Sequence, residues 1–533
     1  MRNLIKTLTA VLLITAINAC TLQEIPESGN PGAITITGQT VLEQAMSNLP
    51  GSKTILSGVE THWVSGDKIG VFSPEAKPTS ESAPPTKNAE STALTEIPAK
   101  SSSFTSSLVW GSESDHHFYA YYPYGTEYTS AQTAEVPISL ASAQNQSGDG
   151  NKDHIGALDF MVATPKTVTP PGAVNLTFNH VFSIMEFQIT GSGSLSAVRL
   201  TGTNALACTG TIDLTQTPGV DDIAYTIAQT STSQTVTVTL GSAASLSTTT
   251  AVSVFMMILP GTQSGDITIE LEIGGSWKSM TKTPPAGGFV RGKKYNIAVL
   301  HDSRDGNLYS YKTIGTQVWM TENLAYLPSV VGPATGSEDA GNETVAFYYV
   351  YGYDGTDVAA AKATANYQTY GVLYNWKAAM NGAASSDSNP SGVQGVCPEG
   401  WHLPSDAEWT QLKTYLTNNG YRYDGTIGGT DVRAKIALSL VANTGWESST
   451  YEGAAGNTDY PEYRYTSGFT ALPGGCRYLH GTFYLIGYTG DWWSSTQSNT
   501  NNAWGLSLTY SGSHAYRSGG NKGLGFSVRC LRD

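Results

Sequence analysis

A short helix with a strongly specified start constrains this chain more than any other stretch. Ser405 is followed three residues later by Glu408, the spacing of a capping box, in which each side chain bonds the backbone N–H of the other residue. The apolar residues Trp409, Leu412 and Leu416 then share one helical face. An Asn-Asn-Gly sequence follows, a composition typical of a helix C-cap. The sequence therefore predicts a region of strands and loops that is organised around this helix.

The first twenty residues have the composition of an export signal. Two basic residues precede an apolar segment, 8–17, that is too short to span a bilayer. The segment leads into Ala-Ile-Asn-Ala-Cys20, which resembles a bacterial lipobox. We expect a signal peptide at 1–19, lipidation of Cys20 and a polar tether at 20–33; a signal peptide with an incidental cysteine is the alternative. Acyl chains on Cys20 would hold the protein on the outer membrane, because each buried methylene contributes about 0.8 kcal/mol.

Four cysteines lie beyond Cys20, and export permits disulfides. Cys397 and Cys530 flank the most heavily specified part of the chain, and a bridge between them would close 530 − 397 = 133 residues. Such a loop is worth roughly 5 kcal/mol in the chain-entropy model. Cys476 is the competing partner, and Cys208 is predicted to be a buried free thiol. The wide spacing of the four does not resemble a metal site.

Composition favours an extracellular β-rich protein. Only 14% of the residues are charged, and the net charge of −14 argues against nucleic acid as a partner. From residue 34 to residue 300, short segments alternate apolar and polar side chains, as half-buried strands do. Val252–Leu259 is instead a continuous apolar run, which predicts a strand buried on both faces. Residues 73–103 contain almost no apolar side chains and are predicted to form a long loop.

A gap in the strand pattern between Pro165 and Val174 divides this part of the chain. We predict two β-sandwiches, 34–170 and 171–300, with no convincing helix in either.

Several short motifs in this part resemble those of fimbrillin-like lipoproteins, the major and minor fimbrial subunits. The motifs are Trp63 with Gly66–Phe72, Phe118–Pro123, Phe178–Val181 and Gly292–Tyr295. The resemblance implies two transthyretin-like sandwiches and assembly with other fimbrial subunits by strand exchange. In that scheme a trypsin-like protease removes the first strand, here Ile34–Ile36, and an exposed sheet edge then accepts a neighbour's strand. Lys53 is the candidate processing site, with an ordinary solvated lysine as the alternative.

The last third of the chain, 301–533, changes character and holds eight of the eleven tryptophans. Its motifs are Thr313–Leu324, Cys397–Trp409, Gly468–Gly475, Asp491–Thr496 and Gly525–Cys530. Together they resemble the Fibrobacter succinogenes major paralogous domain, and two of them resemble formylglycine-generating-enzyme-like domains. The resemblance implies an α+β, C-type-lectin-like domain and fits a Cys397–Cys530 bridge, whereas Cys476 departs from the pattern. The fold class expected for the whole chain is mainly β, with two sandwiches followed by this domain.

The sequence offers no convincing catalytic or metal site. His402, Asp406 and Glu408 lie close together, but the helix cap already accounts for Glu408, and packing before the helix accounts for His402. Neither a Gly-x-Ser-x-Gly motif, a His-Glu-x-x-His motif nor the triplets of calcium-dependent lectins occur. We therefore expect a non-catalytic protein without a cofactor or a metal.

Aromatic residues in a Gly-rich region near the end of the chain are the main functional signal, because exposed rings stack on sugars and anchor interfaces. The ligand-binding candidates are Tyr478, Tyr484, Tyr488 and Trp493. Trp492 and Trp504 are expected in the core. Since neighbours in a strand face opposite ways, at most one of Trp492 and Trp493 is expected to be core.

The sequence thus favours a surface-exposed fimbrial lipoprotein of the outer membrane. A subunit that ends in a folded domain has no free strand to donate onward, which favours a tip position with the last domain as an adhesin for a glycan or another surface ligand. The alternative is a structural or anchoring surface protein without its own ligand.

Overall fold

The protein is mainly β, with a few short helices. The computed structural model describes residues 33–40, 45–46, 55–56, 62–78, 88–126, 134–217, 224–336 and 344–533. Cys20, Lys53, the signal peptide predicted for 1–19 and all but the last residue of the tether predicted for 20–33 lie outside the described residues. Within these ranges, no helix combines the length and the apolar character needed to cross a bilayer.

The N-terminal part is built on one eight-stranded sheet, in the order β6-β4-β9-β12-β14-β1-β7 with β13 on β9. The elements up to residue 180 are β1 (Ile36–Thr40), β2 (Ala45–Met46), β3 (Ile55–Leu56), β4 (Lys68–Phe72), β5 (Lys77–Pro78), β6 (Ala89–Thr92), β7 (Ser101–Phe104), β8 (Leu108–Val109), β9 (His116–Tyr122), β10 (Glu135–Ser139), β11 (Ala143–Gln146), α1 (Asp153–Leu158), β12 (Met161–Ala163), β13 (Lys166–Val168) and β14 (Val174–His180). Its core centres on Trp63, whose ring meets those of Phe104, Tyr122 and Phe178 edge to face at 5.1 to 5.4 Å.

The sheets do not divide at the predicted boundary between residues 170 and 171. Strand β14 runs parallel to β1, with Ile36 opposite Val174, and so belongs to the N-terminal sheet. Strands β10 and β11, in turn, pair with β17 and β19 of the following region. Alternation along the chain identifies strands, but it does not say which strands pair, because pairing depends on distant partners.

The prediction of a long loop at 73–103 is wrong for part of that range. Strands β6 and β7 both lie within it and both belong to the N-terminal sheet. Ala89, Ser91 and Ser102 point into the core and are buried. Small and hydroxyl side chains thus fill these strand positions, so a low apolar content did not mean a loop here.

The second region is a sandwich of two main sheets around the largest core of the described residues. Its strands are β15 (Ser183–Gly191), β16 (Ser194–Thr201), β17 (Ala207–Asp213), β18 (Ile227–Ser233), β19 (Thr235–Ser245), β20 (Val252–Ile258), β21 (Ile267–Ile273), β22 (Ser276–Lys282) and β23 (Lys294–Asp302). One sheet has the order β11-β19-β16-β21-β22, and a three-stranded sheet, β10-β17-β18, flanks the sandwich.

Strand β20 is an edge strand whose backbone is covered by side chains. The Gln144 amide donates to Met257 O (2.7 Å) and accepts from Met257 N (3.0 Å). The Gln146 amide does the same with Ser253 O and Phe255 N, at 2.8 Å each. The two glutamines therefore satisfy backbone groups that an edge strand normally leaves open. This explains why the apolar run at 252–259 is buried on both faces, as predicted.

The other main sheet continues without a break into the last third of the chain, in the order β20-β15-β23-β24-β25-β34-β28. The elements there are β24 (Asn307–Ile314), β25 (Gln317–Met320), β26 (Tyr348–Tyr349), α2 (Val358–Lys362), α3 (Ala365–Tyr370), β27 (Leu373–Tyr374), α4 (Trp376–Met380), β28 (Trp401–His402), α5 (Asp406–Asn418), α6 (Ala437–Leu440), a 3-10 helix (Pro461–Tyr463), β29 (Cys476–Tyr478), β30 (Thr482–Tyr484), β31 (Thr489–Gln497), β32 (Asn502–Thr509), β33 (Tyr516–Asn521) and β34 (Leu531–Arg532). A domain boundary at 300/301 would therefore cut through strand β23.

Helix α5 forms as its sequence predicts. The Ser405 hydroxyl accepts from Glu408 N (3.2 Å), and the Glu408 carboxylate accepts from Ser405 N (2.8 Å), which completes the capping box. Trp409, Leu412 and Leu416 are buried, and they pack into one of two hydrophobic clusters of this region. Strand β31 runs between those two clusters.

Candidate functional site

Three of the four aromatic candidates lie at the surface around the β29–β30 hairpin. Tyr478 and Tyr484 are 43% and 47% exposed and occupy diagonal positions on one face of the hairpin. Their rings meet edge to face at 6.0 Å, and the ring of His480, in the turn, lies 5.1 Å from that of Tyr478. Tyr488, 41% exposed, follows in the next turn. We call Tyr478, His480, Tyr484, Leu485 and Tyr488 the tyrosine surface.

The second turn of this surface is fixed by the backbone and by a further ring. Tyr488 N donates to Leu485 O (2.9 Å), and Tyr510 N donates to Tyr488 O (2.8 Å). The Tyr488 ring contacts the Tyr510 ring edge to face at 5.1 Å. Leu485 adopts a φ of 67° and is 49% exposed.

Arg477 fixes the hairpin from below. Its side chain is fully buried and donates to Pro333 O (2.8 Å), Thr335 O (3.0 Å) and Gly523 O (3.1 Å). The guanidinium also lies 4.9 Å from the centre of the Tyr349 ring. Burial lowers the pKa of Arg477. Because three carbonyl groups from two separate loop segments accept from one side chain, the tyrosines above it are held on a rigid base.

The fourth candidate, Trp493, is not at the surface, which corrects the sequence-based assignment. Its side chain is fully buried, packs on Phe526 at 4.4 Å and donates from Nε1 to Tyr374 O (2.7 Å). Trp492 is also fully buried, on the opposite face of β31, and donates to Asn323 Oδ1 (2.8 Å). The expectation that at most one of the two is core is wrong, because β31 has a hydrophobic cluster on each face.

Trp504, expected in the core, is only half-buried. The guanidinium of Arg517 stacks on its ring at 3.6 Å. The ring is thus covered by a cation rather than by apolar side chains.

The cysteines pair as the sequence suggests. Cys397 and Cys530 form a disulfide, with their Cα atoms 5.9 Å apart. Cys208 and Cys476 are buried free thiols. Burial, with a smaller contribution from Asp491, raises the pKa of Cys476 to about 12, so the thiol stays protonated and unreactive at neutral pH.

The His402 cluster is a structural link. His402 is buried, with Nε2 2.8 Å from Glu408 Oε1 and Nδ1 2.6 Å from Asp533 Oδ1. Although burial lowers the pKa of His402, the bonds to Glu408 and Asp533 outweigh that effect and raise it. Both ring nitrogens are therefore engaged in joining α5 to β34. No group of three or more His, Cys, Asp or Glu side chains suited to a metal ion occurs in the described ranges.

Sequence reasoning missed other members of the surface. His480 and Leu485 complete the tyrosine surface, and Tyr516, 39% exposed, is a further surface ring. The alternation in Tyr478–Tyr484 around His-Gly was a hairpin signal that identifies His480 as the turn. Leu485 offered no signal, because nothing in a sequence marks a leucine with positive φ.

Two family models match two different parts of the chain. Residues 57–312 match the model of the fimbrillin-like family, and residues 313–532 match that of the Fibrobacter succinogenes major domain. No curated protein matches the chain.

Solved structures of low identity also match. A protein from Bacteroides uniformis described as a cell adhesion protein is 14% identical, covering 52% of this chain and 95% of its own, with a TM-score of 0.34. A fimbrial assembly protein from Parabacteroides distasonis is 11% identical over 52% of this chain and 93% of its own, with a TM-score of 0.28. A fimbrial protein from Bacteroides ovatus is 12% identical over 95% and 99%, with a TM-score of 0.25.

The family matches, rather than the distant structural likenesses, show which family each of the two parts of the chain resembles. They support a fimbrial protein of the cell surface. The two matches meet between residues 312 and 313, inside strand β24. The chain thus joins a fimbrillin-like region, 57–312, to a Fibrobacter succinogenes major domain, 313–532.

Proposed function

We propose that this protein is a non-catalytic adhesin at the tip of a fimbrium, made as a lipoprotein on Cys20, which binds a surface ligand through the tyrosine surface. The observation that supports this function best is the exposure of Tyr478, Tyr484 and Tyr488 on and beside a hairpin that Arg477 fixes to two loop segments. Exposed rings on a rigid base lose little conformational entropy on binding, and they suit the faces of sugars as well as protein surfaces.

Assembly by strand exchange is compatible with the position of β1. This strand lies between β14 and β7, and Ile34 and Ile36 are buried in the core of the sheet. Removal of the segment after cleavage at Lys53 would open a groove with a strand edge on each side, which a neighbouring subunit's strand could fill. Ile34–Ile36 still covalently attached in assembled fimbriae, detected by mass spectrometry, would contradict this step.

The tip position is supported by the state of β34. This strand pairs with β25 on one side and β28 on the other, so both of its edges are already occupied. It is therefore not available for donation to a following subunit. A last domain whose final strand is paired on both sides is what a tip position would require.

The adhesin function is tested with the full chain on a broad glycan array. Replacement of both Tyr478 and Tyr484 by alanine is expected to abolish binding to the recognised glycan, because each ring supplies contact area without supporting the core. Tyr451→Ala is the matched control, since Tyr451 is 68% exposed and lies outside the tyrosine surface. Equal binding by wild type and the double variant, with both folded, would contradict the assignment of the site.

The second candidate is a structural or anchoring surface protein without its own ligand. The observation that favours it is the bonding between the two matched regions. Arg304 pairs with Asp302 (2.7 Å) and donates to Val396 O and Cys397 O, while Arg532 donates to Thr248 O (3.1 Å). Absence of binding to any glycan or host-cell surface, together with lipid still present on Cys20 in assembled fimbriae, would favour this alternative.

A further inference from the structure

A concave site on the Fibrobacter succinogenes major domain shares no residue with the tyrosine surface. The cavity has a volume of about 340 Å³. Its walls come from helix α5, the segment 430–433 and strand β33, and the lining residues are Thr410, Lys413, Thr430, Asp431, Val432, Arg433 and Arg517. We call it the basic pocket. Its volume falls within the range of small-molecule sites.

The walls of the basic pocket are bonded to one another. The Thr417 hydroxyl on α5 donates to Val432 O (2.9 Å), which fixes the segment 430–433 to the helix. Ala515 N donates to Arg433 O (3.0 Å), which fixes the same segment next to β33. The pocket is therefore formed without a ligand, and binding would need little reorganisation.

Two of the cations at the pocket are already paired with carboxylates. Arg433 bonds Asp431 through Nε (2.9 Å) and Nη2 (3.1 Å). Arg517 Nε lies 2.9 Å from Asp406 Oδ2, on the first turn of α5. These pairs hold both guanidiniums in place, and each still has N–H donors available for a further acceptor.

Lys413 differs from these two arginines. Lys413 is 3% exposed, and no hydrogen bond or ion pair to its side chain is present among the residues that the structure describes. Burial lowers the pKa of Lys413; nearby Asp406 opposes this effect, and Arg517 and Arg433 add to it. The side chain of Lys413 is thus held within the wall, while its ammonium group is open to the pocket and has no bonded partner among the described residues. A cation in this position points to an anion in the pocket as its partner.

The charge around the basic pocket also suits an anion. Lys413, Arg433 and Arg517 outnumber Asp406 and Asp431 by three charges to two, although the chain as a whole carries −14. A net positive pocket attracts small anions, whereas the net charge of −14 on the whole chain repels polyanions such as nucleic acid.

Aromatic groups beside the pocket favour a sugar as the carrier of that anion. Tyr516 does not line the pocket itself, but it lies near the lining residue Arg433. Tyr516 is 39% exposed, and the ring of His514 stacks on it at 5.7 Å. The bond to Asp431 raises the pKa of Arg433, and Tyr516 is close enough to contribute to the same rise. A cationic cavity beside an exposed ring is the combination that binds an acidic sugar through its charge and its ring face.

We propose that the basic pocket binds an acidic sugar, with its carboxylate at Lys413, between Arg433 and Arg517, and its ring against Tyr516. The site is independent of the tyrosine surface, and it gives the domain a second binding function with a defined ligand class.

The test measures binding of sodium glucuronate to the full chain by isothermal titration calorimetry, with glucose and sodium sulfate as comparison ligands. Wild type is expected to bind glucuronate saturably, and Lys413→Met, which keeps the length of the side chain, is expected to bind it at least tenfold more weakly. Lys377→Met, which removes the same charge from α4 outside the pocket, is expected to bind like wild type. Glucose is expected not to bind, because it lacks the anion.

Several outcomes would overturn the proposal. These are no saturable glucuronate binding by the folded wild type, equal binding by Lys413→Met, or equal binding of glucose and glucuronate. Binding of sulfate without glucuronate would overturn the assignment to a sugar. Arg433→Gln, at an exposed side chain, provides a second variant that does not disturb the core, with a weaker loss expected. The Tyr478→Ala/Tyr484→Ala variant is expected to keep glucuronate binding, which separates this test from that of the tyrosine surface.

Discussion

The sandwich region and the C-terminal domain satisfy their buried backbone in different ways. In the sandwich, long strands such as β15 and β19, of nine and eleven residues, bond to neighbours along much of their length. In the C-terminal domain, several strands have only two or three residues, among them β26, β28 and β29. Since buried backbone groups still need partners, side chains take over where ladders are short.

Buried arginines and tryptophans supply those partners. Arg464 donates to Ala455 O (2.8 Å) and Asn457 O (2.9 Å). Trp376 donates from Nε1 to Ser494 O (2.8 Å). Arg477 and Trp493 act in the same way, as described above. The comparison teaches that an irregular domain can be as rigid as a sandwich when a few large side chains each bond several loops.

The largest effect is expected from the removal of the disulfide, which constrains only the irregular region. Cys397→Ala with Cys530→Ala should lower the free energy of unfolding by about 5 kcal/mol, because the bridge closes a long loop. Denaturant unfolding measures the change. Cys208→Ala, a buried thiol of the sandwich, is the control and should cost about 1 kcal/mol. If the disulfide variant loses no more free energy of unfolding than Cys208→Ala does, the closure of the loop does not stabilise the domain.

The second-largest effect is expected when a buried arginine that bonds several loop carbonyl groups is replaced. Arg477→Met should lower the free energy of unfolding by about 3 kcal/mol, because three carbonyl groups lose the arginine donor and the bond to Gly523 O is buried. Arg199→Met in the sandwich is the matched variant, and its partly exposed pair with Glu270 should contribute less than about 1 kcal/mol. If both variants lose the same stability, the proposed difference between the regions is wrong.

A buried carboxylate of the C-terminal domain provides a pH test. Burial raises the pKa of Asp491 from 3.8 to about 6, against hydrogen bonds from Ser507 and Thr489 that lower it. Because the folded protein holds this proton more tightly than the unfolded chain does, wild type loses stability as the pH rises from about 4 to about 6. Asp491→Asn should remove that loss and be more stable at pH 7 by about 2 to 3 kcal/mol. Unfolding curves at pH 4, 5, 6 and 7 give the difference, and a pH-independent difference would refute the shift.

The smallest effect concerns the sandwich. Gln144→Ala removes two bonds to the backbone of Met257 at the edge of β20 and should lower the free energy of unfolding by about 1 to 2 kcal/mol. Gln188→Ala, a half-buried glutamine on β15, is the control and should change stability by less than about 0.5 kcal/mol. Increased self-association of Gln144→Ala, measured by light scattering, would sharpen the view that the glutamine protects an edge. Identical stability of the two variants would refute it.

Local patterns in the sequence predicted local structure well. The capping box at Ser405 and Glu408 depends only on residues three positions apart, and it forms as expected. The Cys397–Cys530 bridge was also predicted, because both cysteines lie in motifs of one recognisable domain. The capping box needs no knowledge of which distant elements meet, whereas the bridge spans 133 residues and was expected from the positions of the two cysteines and from the family resemblance.

Features that depend on distant partners were not predictable in the same way. Trp493 is buried because a second hydrophobic cluster covers the other face of β31, which no residue near it in the chain indicates. Strand β14 belongs to the N-terminal sheet because β1 pairs with it across more than a hundred residues. The basic pocket joins Lys413, Arg433 and Arg517 from three separate segments, and no spacing in the sequence relates them.

In the proposed tip adhesin, the seven-stranded sheet that runs from β20 to β28 would carry a pulling force between the two regions. A load on the C-terminal domain would pass through the β23–β24 ladder, with Leu300 opposite Tyr309, rather than through a loose hinge. Separating the two regions would require breaking the backbone hydrogen bonds of this ladder. In the proposed adhesin, a pull on the ligand would therefore act on a continuous sheet and not on a flexible linker.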